Sequence, residues 1–248
     1  MSDRDCVIRI HEVSKTFPIE TSRATVYRAL QKQLLRRSHQ TRTYFALNDI
    51  NLEMSRGEKV GVVGDNGSGK TTLLKVIAGL YKPSGGHIDV KGEMTLLAGI
   101  GIGMIDELSV EENVFLYGAI YGMEREKIKD RLREIIEWAE LRDFVGAKLK
   151  TLSSGMKSRL AFSASRYIEK DIYLLDEALT AGDRHFQEKC EDVFKSYKKT
   201  EKTFLVTSHD LRFVESFCTK TLWLHKGRQM DFGATESVLQ KYRESKSR

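Results

Sequence analysis

Gly64-Asp65-Asn66-Gly67-Ser68-Gly69-Lys70-Thr71 is the stretch on which the reading of this sequence turns. It matches G-x-x-x-x-G-K-[ST], the pattern of a phosphate-binding loop. Its flanks fit that role. Before it, Lys59 to Val63 is a short β-branched run bounded by glycine, which predicts a buried parallel strand. After it, Thr71 to Leu80 predicts a helix with a glycine stop. Glycines let successive backbone N–H groups turn inward on an anion, and a helix N-terminus adds partial positive charge. The candidate cradle for a nucleoside triphosphate is therefore Gly64, Asp65, Asn66, Gly67, Ser68, Gly69, Lys70, Thr71 and Thr72. In such a loop the lysine lies between the β- and γ-phosphate oxygens, and the Thr71 hydroxyl completes Mg²⁺ coordination.

Two further stretches belong with the loop. Ile172-Tyr173-Leu174-Leu175-Asp176-Glu177 is an apolar strand ending in two carboxylates. Asp176 is the candidate Mg²⁺ ligand, and Glu177 the candidate group that orients and polarises the attacking water. Leu152-Ser153-Ser154-Gly155-Met156 precedes a helical pattern. Alone, it reads as a serine N-cap.

In this order and company the motif resembles the signature of ATP-binding-cassette (ABC) ATPases, whose common form is Leu-Ser-Gly-Gly-Gln. Here Ser154 stands for the first glycine and Met156 for the glutamine. The resemblance implies that Ser153, Ser154 and Gly155 cap the γ-phosphate held by a second subunit. It also implies a dimer-contacting loop at Thr180-Ala181-Gly182-Asp183, and a switch histidine at His209. The catalytic candidates are Glu177, His209 and Lys70. Ser14-Lys15-Thr16-Phe17 matches the segment that supplies an adenine-stacking ring, so Phe17 is the choice there and Tyr44 the alternative.

One expected residue is missing. ABC ATPases usually carry a glutamine after the first loop-helix unit, yet no glutamine occurs between Gln40 and Gln187. In its place stand the glycine-rich Thr95–Gly103 run, the turn Asp106-Glu107-Leu108-Ser109 and Glu112-Asn113. With Ser-Ser-Gly-Met and the run from Asp176 to Cys190, these resemble the ATPases that export bacterial capsular polysaccharide, O-antigen and teichoic acid. That resemblance implies a homodimer of ATPase subunits using ATP and Mg²⁺, on the cytoplasmic face of the inner membrane. It further implies two copies of an integral-membrane permease, a lipid-linked polysaccharide cargo and no nucleic acid partner. An exporter ATPase for another cargo, such as a lipid or drug, is the alternative. The chain stops at Arg248, so the carbohydrate-binding domain of some members is expected to be absent.

The expected fold class is α/β: a P-loop NTPase of the ABC nucleotide-binding type with a mixed sheet, an antiparallel β edge and an inserted helical subdomain. Within 1–248 the ATP-binding core takes 1–98 and 169–235, and the helical subdomain 105–168. Cys6 to Phe17 alternates at period 2 and predicts an edge-type strand, Lys82 to Gly86 a loop, and Thr221 to Gly233 a strand pair around Lys226-Gly227. Between Glu20 and Asp49 there is no acid, while Arg23, Arg28, Lys32, Arg36, Arg37 and Arg42 supply six positive charges, equal to the net +6 of the chain. Val26, Tyr27, Leu30 and Leu34 share one helical arc, so 22–38 reads as a basic amphipathic helix at an anionic interface, as a solvated helix packed by its apolar stripe, or, least favoured, as a nucleic-acid patch. Charged residues at 31% and hydrophobic ones at 40% exclude disorder, and no run is long and apolar enough to span a bilayer. Cys6, Cys190 and Cys218 lack metal-ligand spacing and read as reduced thiols.

Overall fold

The computed structural model describes residues 5–19, 43–98, 101–176 and 184–246. Glu177, the 180–183 loop and the 22–38 segment lie outside them.

One nine-stranded sheet organises the chain, in the order β4-β1-β2-β9-β8-β3-β7-β6-β5. Its parallel half is β3 (Lys59–Val63), β5 (Met94–Ala98), β6 (Ile172–Asp176), β7 (Thr203–Thr207) and β8 (Lys220–His225). β3 and β7 are buried at every position, as strands covered by helices on both faces must be. The other half is an antiparallel wing of β1 (Cys6–Pro18), β2 (Thr43–Ser55) and β4 (Gly85–Val90), joined to the core through β9 (Arg228–Ala234). β8 and β9 form a hairpin, and Lys226 and Gly227 both take positive φ in its two-residue turn.

The mixed sheet with an antiparallel edge agrees with the sequence expectation, but the edge is a different strand. β4 lies outside β1 and pairs with it, so β1 is interior and part of the predicted 82–86 loop is strand. Gly85-Gly86-His87 carries no strand propensity, and only Ile88 and Val90 of β4 turn toward the core, where they pack on the aliphatic cluster.

Helices cover both faces. α1 (Lys70–Ile77) follows β3 and buries Leu73, Leu74, Val76 and Ile77 against the aliphatic side of the sheet. The inserted lobe holds α2 (Val110–Ile120), α3 (Arg125–Trp138) and α4 (Ser154–Ser165), with a core of its own around Val114, Tyr117, Ile135 and Leu160. α2 starts with a capping box, in which Ser109 Oγ accepts from Glu112 N–H and the Glu112 carboxylate accepts from Ser109 N–H. The opposite face is aromatic. There α5 (Arg184–Tyr197), α6 (Leu211–Phe217) and α7 (Thr235–Lys246) close over Phe186, Phe194, Phe204 and Phe217.

Phe204 of β7 is stacked on Tyr173 of β6, with centroids 4.8 Å apart, and meets Phe217 edge-on. Phe204→Ala should cost about 3–5 kcal/mol, seen as a lower urea midpoint with an unchanged slope. A loss under about 1 kcal/mol would mean that this face is not close-packed.

Candidate functional site

The carboxyl ends of β3, β6 and β7 meet at one edge of the parallel sheet, where open α/β sheets place ligands. β3 runs into the loop from Gly64 to Gly69, β6 delivers Asp176, and β7 delivers Thr207, Ser208 and His209.

The loop is shaped by close backbone approach. A Cβ at Gly64 would stand 2.2 Å from the Leu224 carbonyl oxygen, and one at Gly69 would stand 2.6 Å from that of Ala46. Both glycines also take positive φ. Ser68 N–H donates to Asp65 O at 3.0 Å and closes the turn. Lys70 opens α1, and its buried ammonium donates to Gly64 O at 2.8 Å and Asp65 O at 3.1 Å. Gly69 gives that helix no side-chain cap. The cavity over the loop, of about 270 Å³, is lined by Tyr44, Ala46 and the residues from Asn66 to Thr72. Two features fit it to a phosphate chain: open space over Gly67, and a buried Ser68 hydroxyl that has no hydrogen-bond partner.

Asp176 is half-buried, and Thr207 Oγ1 donates to its Oδ1 at 2.6 Å, which fixes the carboxylate. Sequence reasoning did not single out Thr207, because only the register Asp176↔Thr207 of β6 on β7 brings the two together. His209 shares a second cavity, about 210 Å³, with Val63, Gly64, Ser208 and Tyr242. Loop and histidine are thus neighbours across the β3–β7 pair. Ser153 caps α4 by accepting from Met156 N–H at 3.2 Å, and Ser153 and Ser154 are exposed at its start. They line neither of these two cavities.

Phe17 packs edge-on against Tyr81 at 5.5 Å with the Lys15 ammonium over it at 4.9 Å, and it lies off the loop cavity. The aromatic beside the loop is the alternative, Tyr44, which is 47% exposed with its hydroxyl directed at Gly67 O, 3.4 Å away. Phe17 and Tyr44 are cross-strand partners in β1 and β2, but the Tyr44 hydroxyl turns to the loop while the Phe17 ring packs on Tyr81. Among the described residues, no cluster of three His, Cys, Asp or Glu could hold a metal, and no helix is long and apolar enough to cross a membrane.

The sequence profile of the family described as "ABC transporter" matches residues 47–180, more than half of the chain. The chain belongs to the ABC transporter family. Its fold is that of an ABC ATPase domain. The chain superposes on the structure of an ATP-binding subunit of an ABC transporter with a TM-score of 0.73, at 21% identity, over 95% of this chain and 93% of that one. Against the dimeric post-hydrolysis state of the ATP-binding cassette MJ0796 bound to ADP and Pi, the TM-score is 0.71 at 24% identity, over 92% and 98% of the two chains. In sequence it is 44% identical over 213 residues to the teichoic acids export ATP-binding protein TagH of Bacillus anthracis, which is 86% of this chain and 39% of that protein. It is 36% identical over 247 residues to the O-antigen export system ATP-binding protein RfbB of Myxococcus xanthus, 97% of this chain and 56% of that one. The chain thus spans less than two thirds of these relatives' length. Their names fall within the polysaccharide-exporting group that the Gly-rich loop and Ser-Ser-Gly-Met motif of this ABC domain resemble.

Burial also decides thiol chemistry here. It pushes the Cys190 and Cys218 thiols up to about 12, so they stay protonated at neutral pH. At pH 8 a maleimide should label Cys6, which is half-buried, and reach Cys190 and Cys218 only after denaturation. Mass spectrometry of the labelled peptides checks this, and equal labelling of all three in the folded protein would contradict the burial.

Proposed function

We propose that this chain is the ATP-hydrolysing subunit of an exporter that drives a lipid-linked polysaccharide across the bacterial inner membrane. The observation that carries the reading is the convergence of the Gly64–Thr72 cradle, Asp176 and His209 at one sheet edge. The teichoic acid and O-antigen names of the relatives support the cargo.

In this reading the loop amides and Lys70 bind the β- and γ-phosphates of ATP, and the Lys70 ammonium exchanges the Gly64 and Asp65 carbonyls for phosphate oxygens. Thr71 and Asp176 hold Mg²⁺, with Thr207 keeping the Asp176 carboxylate turned for that task. The metal supplies charge neutralisation on the phosphoryl group. Glu177 directly follows Asp176, and its role is to orient the attacking water. His209 approaches the γ-phosphate from the β7 side. Catalysis of this kind is positioning plus charge stabilisation, with little covalent chemistry for the protein. Ser153, Ser154 and Gly155 are placed on the lobe at a helix N-terminus, the end that attracts anions. That exposed end suits capping of nucleotide held by a second copy. Two copies then close on two ATP molecules and move a membrane permease pair from the cytoplasmic face.

Tyr44 takes the adenine-stacking role in place of Phe17. Tyr44→Ala should weaken ATP binding about 10-fold, within the 1–3 kcal/mol of base–aromatic stacking, and leave tripolyphosphate binding unchanged. The same loss in Phe17→Ala but not in Tyr44→Ala would return the role to Phe17.

Glu177→Gln should lower steady-state hydrolysis at least about 100-fold while ATP still binds. In cells lacking this chain, polymer should accumulate in the cytoplasm, with rescue by the wild type and none by Glu177→Gln. Normal surface polymer in every strain would remove the polysaccharide cargo and leave the ATPase.

A further inference from the structure

The last turn of α7 returns to the start of the phosphate-binding loop. The Lys246 ammonium lies 2.8 Å from Asp65 Oδ1, and the Tyr242 hydroxyl is 3.4 Å from the same oxygen. Tyr242 and Lys246 are one helical turn apart, and the ammonium also sits over the Tyr242 ring, 4.9 Å from its centroid. Tyr242 is 6% exposed and its ring is held edge-on by Trp223 of β8, so the arm carrying Lys246 has a fixed base. The hydrogen bond from Lys246 is the main reason the Asp65 carboxyl lies below its ordinary range.

Asp65 is chemically out of place. A loop that gathers N–H donors and a lysine for a polyanion carries, as its second residue, a carboxylate. Its neighbour Asn66 lines the loop cavity, and its own carbonyl accepts from both Lys70 and Ser68. Uncompensated, this charge would repel a triphosphate across a few residues of loop. We infer that Lys246 is a positioning and charge-masking residue for the nucleotide site: it neutralises Asp65, steers that carboxylate toward α7 and away from the phosphates, and so raises the affinity of the loop for polyphosphate. The inference rests on the reading of the loop as an ATP site and adds a residue from the far end of the domain to it.

Lys246 and Asp65 are both about half exposed, so the pair in itself stabilises the fold little. Its effect should appear in binding. The test is the Kd of a fluorescent ATP analogue, measured without Mg²⁺ at low ionic strength, with tripolyphosphate as competitor. Lys246→Gln should raise Kd three- to fivefold, about 0.7–1 kcal/mol at 1.4 kcal/mol per tenfold. Tripolyphosphate should weaken by the same factor, and Lys246→Arg should restore both. In an Asp65→Asn background the Lys246→Gln step should change Kd less than 1.5-fold. An unchanged Kd, or an equal rise with and without the Asp65 carboxylate, overturns the masking role and leaves a surface staple of α7. A wild-type protein that does not bind the analogue removes the ATP reading itself, and this inference with it.

Discussion

The turn Lys226-Gly227 is where the two halves of the molecule are tied, and the phosphate-binding loop hangs from that tie. Gly227 N–H donates to Ser68 O at 2.9 Å, and Gly227 O accepts from Asn48 N–H at 2.7 Å. One residue therefore joins the β8–β9 hairpin, the loop and β2. A Cβ at Gly227 would stand 2.8 Å from the Ala46 carbonyl oxygen, so the contact is close enough to demand glycine. The Asn48 bond belongs to the ladder pair Asn48↔Arg228, the one such pair of β2 on β9 among the described residues. The loop's curvature and the seat of Tyr44 beside it depend on this backbone junction, while the antiparallel wing is also docked by apolar packing, its Val13, Leu47 and Ile50 sharing one buried cluster with Val62, Leu73 and Leu222 of the core.

What the sequence disclosed follows from this division. The loop, the apolar strand ending in Asp176 and the Lys226-Gly227 turn were legible because each is a local pattern with one backbone solution. β4 was not, since a strand opening on Gly85-Gly86-His87 is held by pairing with β1 and not by its own preferences. That Tyr44 and not Phe17 stands beside Gly67 depends on where β2 passes the loop, which a period-2 pattern does not encode. Asp65, Tyr242 and Lys246 meet only because α7 packs back across β8, a relation between distant parts of the chain that spacing does not encode.

The lobe and the core are joined by a different kind of contact. Trp138, closing α3, stacks on Phe162 of α4 and meets Phe186 of α5 edge-on. Two cations lie against its ring, Arg166 at 4.4 Å and Lys189 at 4.7 Å. Glu140, in a left-handed conformation just beyond, accepts from Arg159 of α4 and Lys189 of α5. The helix that starts with Ser154 is thus joined through one carboxylate to the helix that follows the Asp176 strand. Directional contacts of this sort fix an orientation where an apolar face alone would permit sliding.

Pro18 and Thr43 are the last pair of the β1–β2 ladder, followed inward by Phe17 and Tyr44. The intervening stretch of chain therefore leaves and re-enters the wing at adjoining points, as from a socket. Closing a segment across such a short gap costs only slightly more as the segment lengthens. Evolution can enlarge, shorten or recharge what is plugged in there without altering the strand pairing behind it. The first residue inside the socket on the return side is Tyr44, the ring beside the loop, so a change of insert is felt first by that wall of the loop cavity and last by the loop itself.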